Sequence, residues 1–244
     1  MTVEIDQSLC TRCGTCIKGC ACGCLELGED GNVRVNARPC MKCGQCYARC
    51  PRGAIRFCGH GADEAPVPKT DAERIAAGRR SVRHFSPEPL SAQEVEAFLD
   101  VVRYCPSAMN VRKTQFWVLG RAALDRIAPK AARTLGMEAA QQKRDVLFRG
   151  APQVVIGLVE ADASYSKRQD ATIALASAEF ARPAGVGTFW CGFLTGAARA
   201  DPSILADLGI PAGLVIASSM GIGHQAEHFC RPVPREQVPV TFVE

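Results

Sequence analysis

Cys10-Thr11-Arg12-Cys13-Gly14-Thr15-Cys16-Ile17-Lys18-Gly19-Cys20 and Cys40-Met41-Lys42-Cys43-Gly44-Gln45-Cys46-Tyr47-Ala48-Arg49-Cys50 are two copies of one pattern, C-x2-C-x2-C-x3-C, and Pro51 follows the second copy at once. Three thiolates this close can wrap a cubane from one tight loop, while the fourth ligand must come from elsewhere to close the coordination. The spacing therefore predicts two [4Fe–4S] clusters. Structural zinc also takes four thiolates, but normally as two C-x2-C pairs without a third cysteine in register. A disulfide framework is the weaker expectation, because no secretory segment precedes Cys10 and the remaining chain reads as an intracellular, cytoplasmic globular domain.

The doubled run resembles the two-cluster ferredoxins of bacteria. That resemblance implies cross-pairing of the fourth ligand: Cys10, Cys13, Cys16 and Cys50 on one cluster, and Cys20, Cys40, Cys43 and Cys46 on the other. The first copy departs from the pattern, since Ala21 stands where proline usually follows and Cys22 and Cys24 crowd the site as substitute ligands for Cys20. Cys58, Cys105, Cys191 and Cys230 are read as reduced packing residues.

At 244 residues the chain has room for one small module and one domain with a substantial core. An apolar content of 47% and a net charge of +4 describe an ordinary globular chain rather than a nucleic-acid binder. The longest apolar stretches, such as Val154–Val159, fall well short of a membrane span. The expected organisation is a cysteine module over residues 1–58, a Gly- and Pro-containing linker over 59–72, and a second domain over 73–244.

Within the module, Gly28-Glu29-Asp30-Gly31-Asn32 reads as a turn leading into the strand Val33-Arg34-Val35. Beyond the linker, helix signals alternate with strand candidates at 115–119 and 153–159, so an α+β layer is expected. Ser91 and Glu94 form a capping-box pattern that predicts an amphipathic helix over 92–104, ended by Pro106. Residues 171–181 are apolar nearly all round, as in a helix buried centrally or at a subunit interface.

Arg79-Arg80-Ser81-Val82-Arg83-His84-Phe85 gathers three guanidinium groups and a hydroxyl, a combination suited to phosphate oxygens. Here the chain resembles the nitroreductase family, whose FMN-binding proteins open their domain with a similar Arg-Arg-Ser-x-Arg segment. Pro106-Ser107-Ala108-Met109-Asn110 is similar to the family's Pro-Ser/Thr-x-x-Asn loop, and Gly150-Ala151-Pro152 to its Gly-Ala-Pro entry into a strand. Gly185-Val186-Gly187-Thr188-Phe189-Trp190-Cys191-Gly192 resembles its Gly-Leu-Gly-Thr-x-Trp-x-Gly stretch, and Gly221-Ile222-Gly223 and Arg231 to Arg235 resemble its terminal glycine and arginine segments. Two departures stand out: Val111-Arg112-Lys113-Thr114-Gln115 replaces the usual Gln-Pro step, and His224 replaces an aromatic-Pro pair.

The resemblance implies a mixed, mainly antiparallel sheet flanked by helices and a homodimer with FMN at its interface. It places Arg79, Arg80, Ser81 and Arg83 on the FMN phosphate or pyrimidine edge, with Arg231 and Arg235 completing the phosphate site. Pro106, Ser107, Ala108 and Asn110 then approach the ring, while Trp190, Cys191 and Gly192 lie along it. A backbone N–H near Cys191 or Gly192 donates to the flavin. No catalytic side chain is expected, because N5 of the flavin carries the chemistry. His60, His84, His224 and His228 show no metal-ligand spacing.

The expected activity is electron transfer from a low-potential carrier, ferredoxin or flavodoxin, through the clusters to FMN. The flavin then reduces a small organic acceptor such as a nitroaromatic, a quinone or an activated alkene. Two alternatives stay open: direct reduction of FMN by NAD(P)H with accessory clusters, and delivery of electrons to a partner protein; Arg34, Arg38, Lys42, Arg49, Arg52 and Arg56 give the module a basic character that suits an acidic carrier, though scattered surface charge is the simpler reading.

Overall fold

The computed structural model describes residues 2–243 and divides into two compact units. The first holds the residues up to Arg79 together with those from His228 onward, and the second is Arg80–Glu227. The expected second domain, 73–244, thus yields its last stretch to the cysteine module. The physical cause is a set of contacts within that module: Val233 is buried in its apolar core, and the Cys230 N–H donates to Ala48 O at 2.7 Å.

In the first unit the repeat in sequence is a repeat in structure. Strand β1 (Val3–Ile5) comes first, then helix α1 (Thr15–Gly19) and the hairpin of β2 (Leu25–Leu27) and β3 (Val33–Val35). Helix α2 (Gln45–Arg49) and β4 (Ile55–Phe57) complete the repeat, with β1 paired antiparallel to β4 and β2 to β3. The expected turn at 28–32 and strand at 33–35 are both present. Five-residue helices do not persist on intrinsic propensity. These two are held by a core of Val3, Leu25, Val33, Tyr47, Ala48, Ile55 and Phe57, and by the loops that precede them. Each loop enters its helix through a left-handed glycine, Gly14 at φ 71° and Gly44 at φ 69°, with Arg12 and Lys42 also left-handed two residues earlier. Helix α3 (Asp71–Gly78) closes the segment before the second unit, capped by the Thr70 hydroxyl accepting from the Glu73 N–H.

The second unit opens with α4 (Ala92–Asp100), where Ser91 and Glu94 form the expected reciprocal capping box. The helix does not run to 104: residues Val101–Tyr104 tighten into a 3-10 turn, because two β-branched residues and the approaching Pro106 disfavour further α-helix. There follow β5 (Gln115–Gly120), α5 (Arg121–Thr134), α6 (Glu138–Lys143), β6 (Gln153–Glu160), α7 (Tyr165–Phe180), β7 (Val186–Trp190), α8 (Gly192–Ala200), α9 (Ser203–Asp207) and β8 (Leu214–His224). The four strands form one antiparallel sheet in the order β5-β6-β8-β7.

Helices cover both faces, so the central strands are apolar on both sides. Val154, Ile156 and Leu158 of β6 face the cluster built with α5, α8 and α9, while Val155 faces the one built with α4 and α7. Helix α7 buries Ala171, Ala174, Leu175 and Ala178 and leaves Tyr165, Ile173 and Phe180 exposed, so it is less uniformly buried than its composition suggests. Gly157 lets it approach, since a Cβ there would meet the Ala171 Cβ at 3.0 Å. Among the described residues no helix is long and apolar enough to cross a membrane.

The two left-handed glycines differ in what surrounds them. A Cβ at Gly14 would meet nothing within 4 Å, whereas one at Gly44 would meet Val233 side-chain carbons, the nearest at 2.4 Å. Gly14→Ala should therefore cost only the left-handed penalty of about 1–2 kcal/mol. Gly44→Ala should cost clearly more and lower the thermal midpoint further, as measured by circular dichroism.

Candidate functional site

The turns and short helices of the first unit gather its cysteines into two groups. Cys10, Cys13, Cys16 and Cys50 line one cavity, and Cys20, Cys40, Cys43 and Cys46 line the other together with Cys22 and Cys24. Each group thus takes its fourth cysteine from the opposite repeat. The second cavity, about 180 Å³, is otherwise mainly apolar, walled by Val3, Leu25, Val35, Met41 and Phe57, with Thr2 and Gln45 as its polar members. Burial, and secondarily the neighbouring Cys50 thiol, pushes Cys16 up to about 11. Burial and then Cys43 push Cys46 up to about 12. Without a bound metal these thiols hold their protons, so binding a cluster here releases protons. Among the described residues no three His, Cys, Asp or Glu side chains converge on a single-ion site.

The place of Cys20 follows from a repeated hydrogen bond. The Cys24 N–H donates to Cys20 Sγ at 3.2 Å, as the Ala54 N–H donates to Cys50 Sγ at 3.3 Å, four residues on in each copy. Cys24 Sγ itself is turned to Pro39 O at 3.3 Å. Geometry thus treats Cys20 and Cys50 as equivalent fourth members. All the cysteines are free thiols; Cys105 and Cys191 are buried packing residues as expected, but Cys58 and Cys230 are exposed.

In the second unit, two of the segments singled out in the sequence lie against each other. The Val82 N–H donates to Thr188 O at 2.8 Å, and Val82 is packed on Gly187, where a Cβ would come within 2.7 Å of it. The segment continues beside the end of β8: Ala226 N–H donates to His84 O, Ser86 N–H to His224 O, and Phe85 packs on Phe189 with ring centroids 6.0 Å apart. Arg80 is almost wholly buried, while Ser81 and Arg83 are half-buried. Arg79, the neighbour of Arg80 in the chain, is counted with the first unit.

At the end of β7, Trp190 is partly exposed and its indole N–H donates to Glu179 Oε2 at 3.0 Å. The Thr188 hydroxyl donates to the other oxygen of the same buried carboxylate at 2.9 Å. Cys191 is fixed on both sides, its N–H donating to Ser219 O at 2.9 Å and its carbonyl accepting from Ser219 Oγ at 2.8 Å. Its N–H is thus committed within the protein, while Gly192, the first residue of α8, has open space where a Cβ would stand. Burial pushes the Cys191 thiol up to about 12, so it stays neutral.

The Pro106–Asn110 loop is anchored on α7, the Ala108 N–H donating to both oxygens of Asp170 at 3.1 and 3.0 Å. Ser107 Oγ accepts from the Arg112 N–H and Asn110 Oδ1 from Arg112 Nε, with Met109, Asn110 and Arg112 all left-handed. Arg231 and Arg235, expected on a phosphate, sit instead in the first unit. Arg231 donates to Tyr47 O and Cys50 O, and Arg235 to Lys42 O and Cys43 O. Glu179, Asp170 and Glu227, whose Oε1 accepts from the Arg83 N–H at 2.7 Å, escaped the sequence reading. One signal was present: Glu179 is a lone carboxylate in the apolar run 171–181.

A model of the nitroreductase family matches residues 76–224, and a model of a 4Fe-4S dicluster domain matches residues 2–51. No curated protein matches the chain. A nitroreductase with bound FMN from Desulfitobacterium hafniense shares 20% identity at a TM-score of 0.61, covering 72% of this chain and all of its own. A nitroreductase with bound FMN from Bacteroides fragilis shares 21% at a TM-score of 0.57, with the same coverage. At such identities these likenesses show the fold alone, the α+β arrangement expected from the sequence.

Two outcomes follow. Glu179→Ala leaves two donors without an acceptor, at about 1–3 kcal/mol each, so the thermal midpoint should fall and Trp190 emission should change. Asp145, which accepts from the Phe148 and Gly150 N–H groups, Gln141 and Arg121, is raised by burial but held below its ordinary value by these donors together. Its contribution is present above the unfolded value near 3.9 and is lost as pH falls through the lower folded one. Asp145→Asn should flatten the acid limb of a stability-against-pH curve below about pH 4.

Proposed function

The chain belongs to the nitroreductase family and carries a 4Fe-4S dicluster domain, and from that premise we propose that it passes electrons from a low-potential carrier through two [4Fe–4S] clusters to FMN, which reduces a small organic acceptor. The observation that carries this reading is the crosswise assembly of two cysteine quartets in a chain that also holds the nitroreductase domain. When bound, the clusters supply one-electron transfer and the flavin supplies hydride transfer from N5.

The residues present fit these groups. Cys10, Cys13, Cys16 and Cys50 would hold one cluster, and Cys20, Cys40, Cys43 and Cys46 the other. Val3, Leu25, Val35, Met41 and Phe57 would give the second cluster a mainly apolar surround. Arg80, Ser81 and Arg83, with Arg79 next in the chain, would take the FMN phosphate or pyrimidine edge. Val82 holds this segment in place through Gly187 and Thr188, and Glu227 does so through the Arg83 N–H. Pro106, Ser107, Ala108 and Asn110 would approach the ring from the loop that Asp170 anchors. The Gly192 N–H would donate to the flavin beside Trp190 and Cys191, and Glu179 fixes the Trp190 indole from beneath. A homodimer is part of the proposal, supported by the exposed apolar side chains Tyr165, Ile173 and Phe180 of α7 and Phe193 of α8.

Anaerobic purification should return about eight iron, eight sulfide and one FMN per chain. Zinc without flavin would sink the proposal. Arg80→Met should weaken FMN binding roughly ten- to hundredfold, from a lost charge-assisted hydrogen bond of about 1.5–3 kcal/mol, read by equilibrium dialysis. Cys43→Ala should abolish turnover with a reduced carrier yet leave the flavin reducible by dithionite. Equal loss of both, or rapid bleaching of the flavin by NADPH with no carrier, would contradict the electron path.

A further inference from the structure

The residues after His228 carry three features that no flavin role explains, and all three converge on α2 and the loop before it. The first concerns helix ends. A helix leaves its last carbonyls without intrahelical partners. Here those of Tyr47, Ala48, Arg49 and Cys50 are met by groups far along the chain: Arg231 donates to Tyr47 O at 2.8 Å and to Cys50 O at 2.7 Å, the Cys230 N–H to Ala48 O at 2.7 Å, and Cys230 Sγ to Arg49 O at 3.8 Å. Secondly, Val233 is buried against Gly44, the glycine that turns the second cysteine loop into its helix. Thirdly, Arg235 donates to Lys42 O at 3.3 Å and to Cys43 O at 3.2 Å. The Arg231 guanidinium also lies over the Tyr47 ring, 5.6 Å from its centroid, which fixes its position.

The two guanidinium groups therefore rest on carbonyls of two cysteines from different quartets. Arg231 is on Cys50, of the group with Cys10, Cys13 and Cys16; Arg235 is on Cys43, of the group with Cys20, Cys40 and Cys46. Arginine keeps its charge at every working pH. A cluster gains one negative charge on reduction, so a cation fixed beside a ligating residue stabilises the reduced form more than the oxidised form. We propose that residues 228–235 form a strap that belongs to the electron-carrying module, and that Arg231 and Arg235 each raise the reduction potential of one cluster, Arg231 through Cys50 and Arg235 through Cys43. The proposal rests on the reading that the quartets hold clusters, and it makes both arginines positioning and tuning residues rather than ligands of FMN.

The two effects differ in kind. Arg231 is half-buried and makes two short bonds, whereas Arg235 is exposed, and exposed charges are screened by salt. Arg231→Gln keeps an N–H donor for the carbonyls and removes the charge; Arg231→Lys keeps the charge. Each protein is first assayed for iron and sulfide, then titrated potentiometrically with the clusters followed by electron paramagnetic resonance.

The expected result is that Arg231→Gln lowers the reduced-to-oxidised ratio of one couple about tenfold at fixed ambient potential, a shift of about 59 mV for one electron. Arg231→Lys should return most of it. Arg235→Gln should move the other couple by less, and not at all in 1 M salt. Iron present with both couples unmoved, the same couple moved by both variants, or a lysine variant shifted as far as the glutamine one would overturn the strap proposal and leave the cluster reading intact. A wild-type chain without iron would overturn both. Loss of FMN from the Gln variants with unmoved potentials would return Arg231 and Arg235 to the flavin phosphate.

Discussion

Holding eight cysteines in two groups, each completed from the opposite repeat and each with a buried member in Cys16 or Cys46, is the constraint on which the first unit depends. Buried thiols at this density oppose ionisation, and Cys16 and Cys46 are pushed far above an ordinary thiol for that reason. The backbone accepts left-handed residues at Arg12, Gly14, Lys42 and Gly44 so that three cysteines can point inward from each loop. The helices that follow have only five residues each. Such short elements cannot stand alone, so they draw on the fully buried Tyr47 and on the strap that caps α2.

The second unit solves a different problem with ordinary means. A four-stranded antiparallel sheet covered on both faces supplies a rigid platform, and polar groups are admitted to its interior only where they meet partners. Glu179 is the clearest case: a buried carboxylate that takes donors from Thr188 and Trp190 and so ties α7 to the end of β7. The close approach of Val82 to Gly187 has a similar effect on the basic segment, which is laid along β7 with Arg80 buried and Arg83 half-buried. Small residues at contact points, rather than long side chains, bring the functional segments together.

One chain thereby combines a family of flavin-type reductases with a module for single electrons. The chain passes from the first part to the second after Arg79 and returns to the first at His228. That return gives the cysteine module side chains that a freestanding ferredoxin would have to supply from its own length. Val233 completes its core, and two arginines reach the carbonyls of Cys50 and Cys43.

Local order was legible in the residues themselves. The cysteine spacing, the Ser91–Glu94 capping box, the turn at 28–32 with the strand at 33–35, and the strands at 115 and 153 all arise from neighbours within a few positions, and all are present in the structure. The resemblance also placed the Arg80 segment and the Gly187 stretch in one unit. What escaped depends on partners far apart in the chain: Arg231 on Cys50, Glu227 on the Arg83 N–H, Asp170 on Ala108 and the domain assignment of the tail. By itself the sequence determined which residues could ligate, turn, cap or alternate, because those properties belong to short segments. Only the tertiary structure decided which carbonyl each long side chain would reach, since a guanidinium or carboxylate pairs with whatever the fold brings within 3 Å, whatever its distance along the chain.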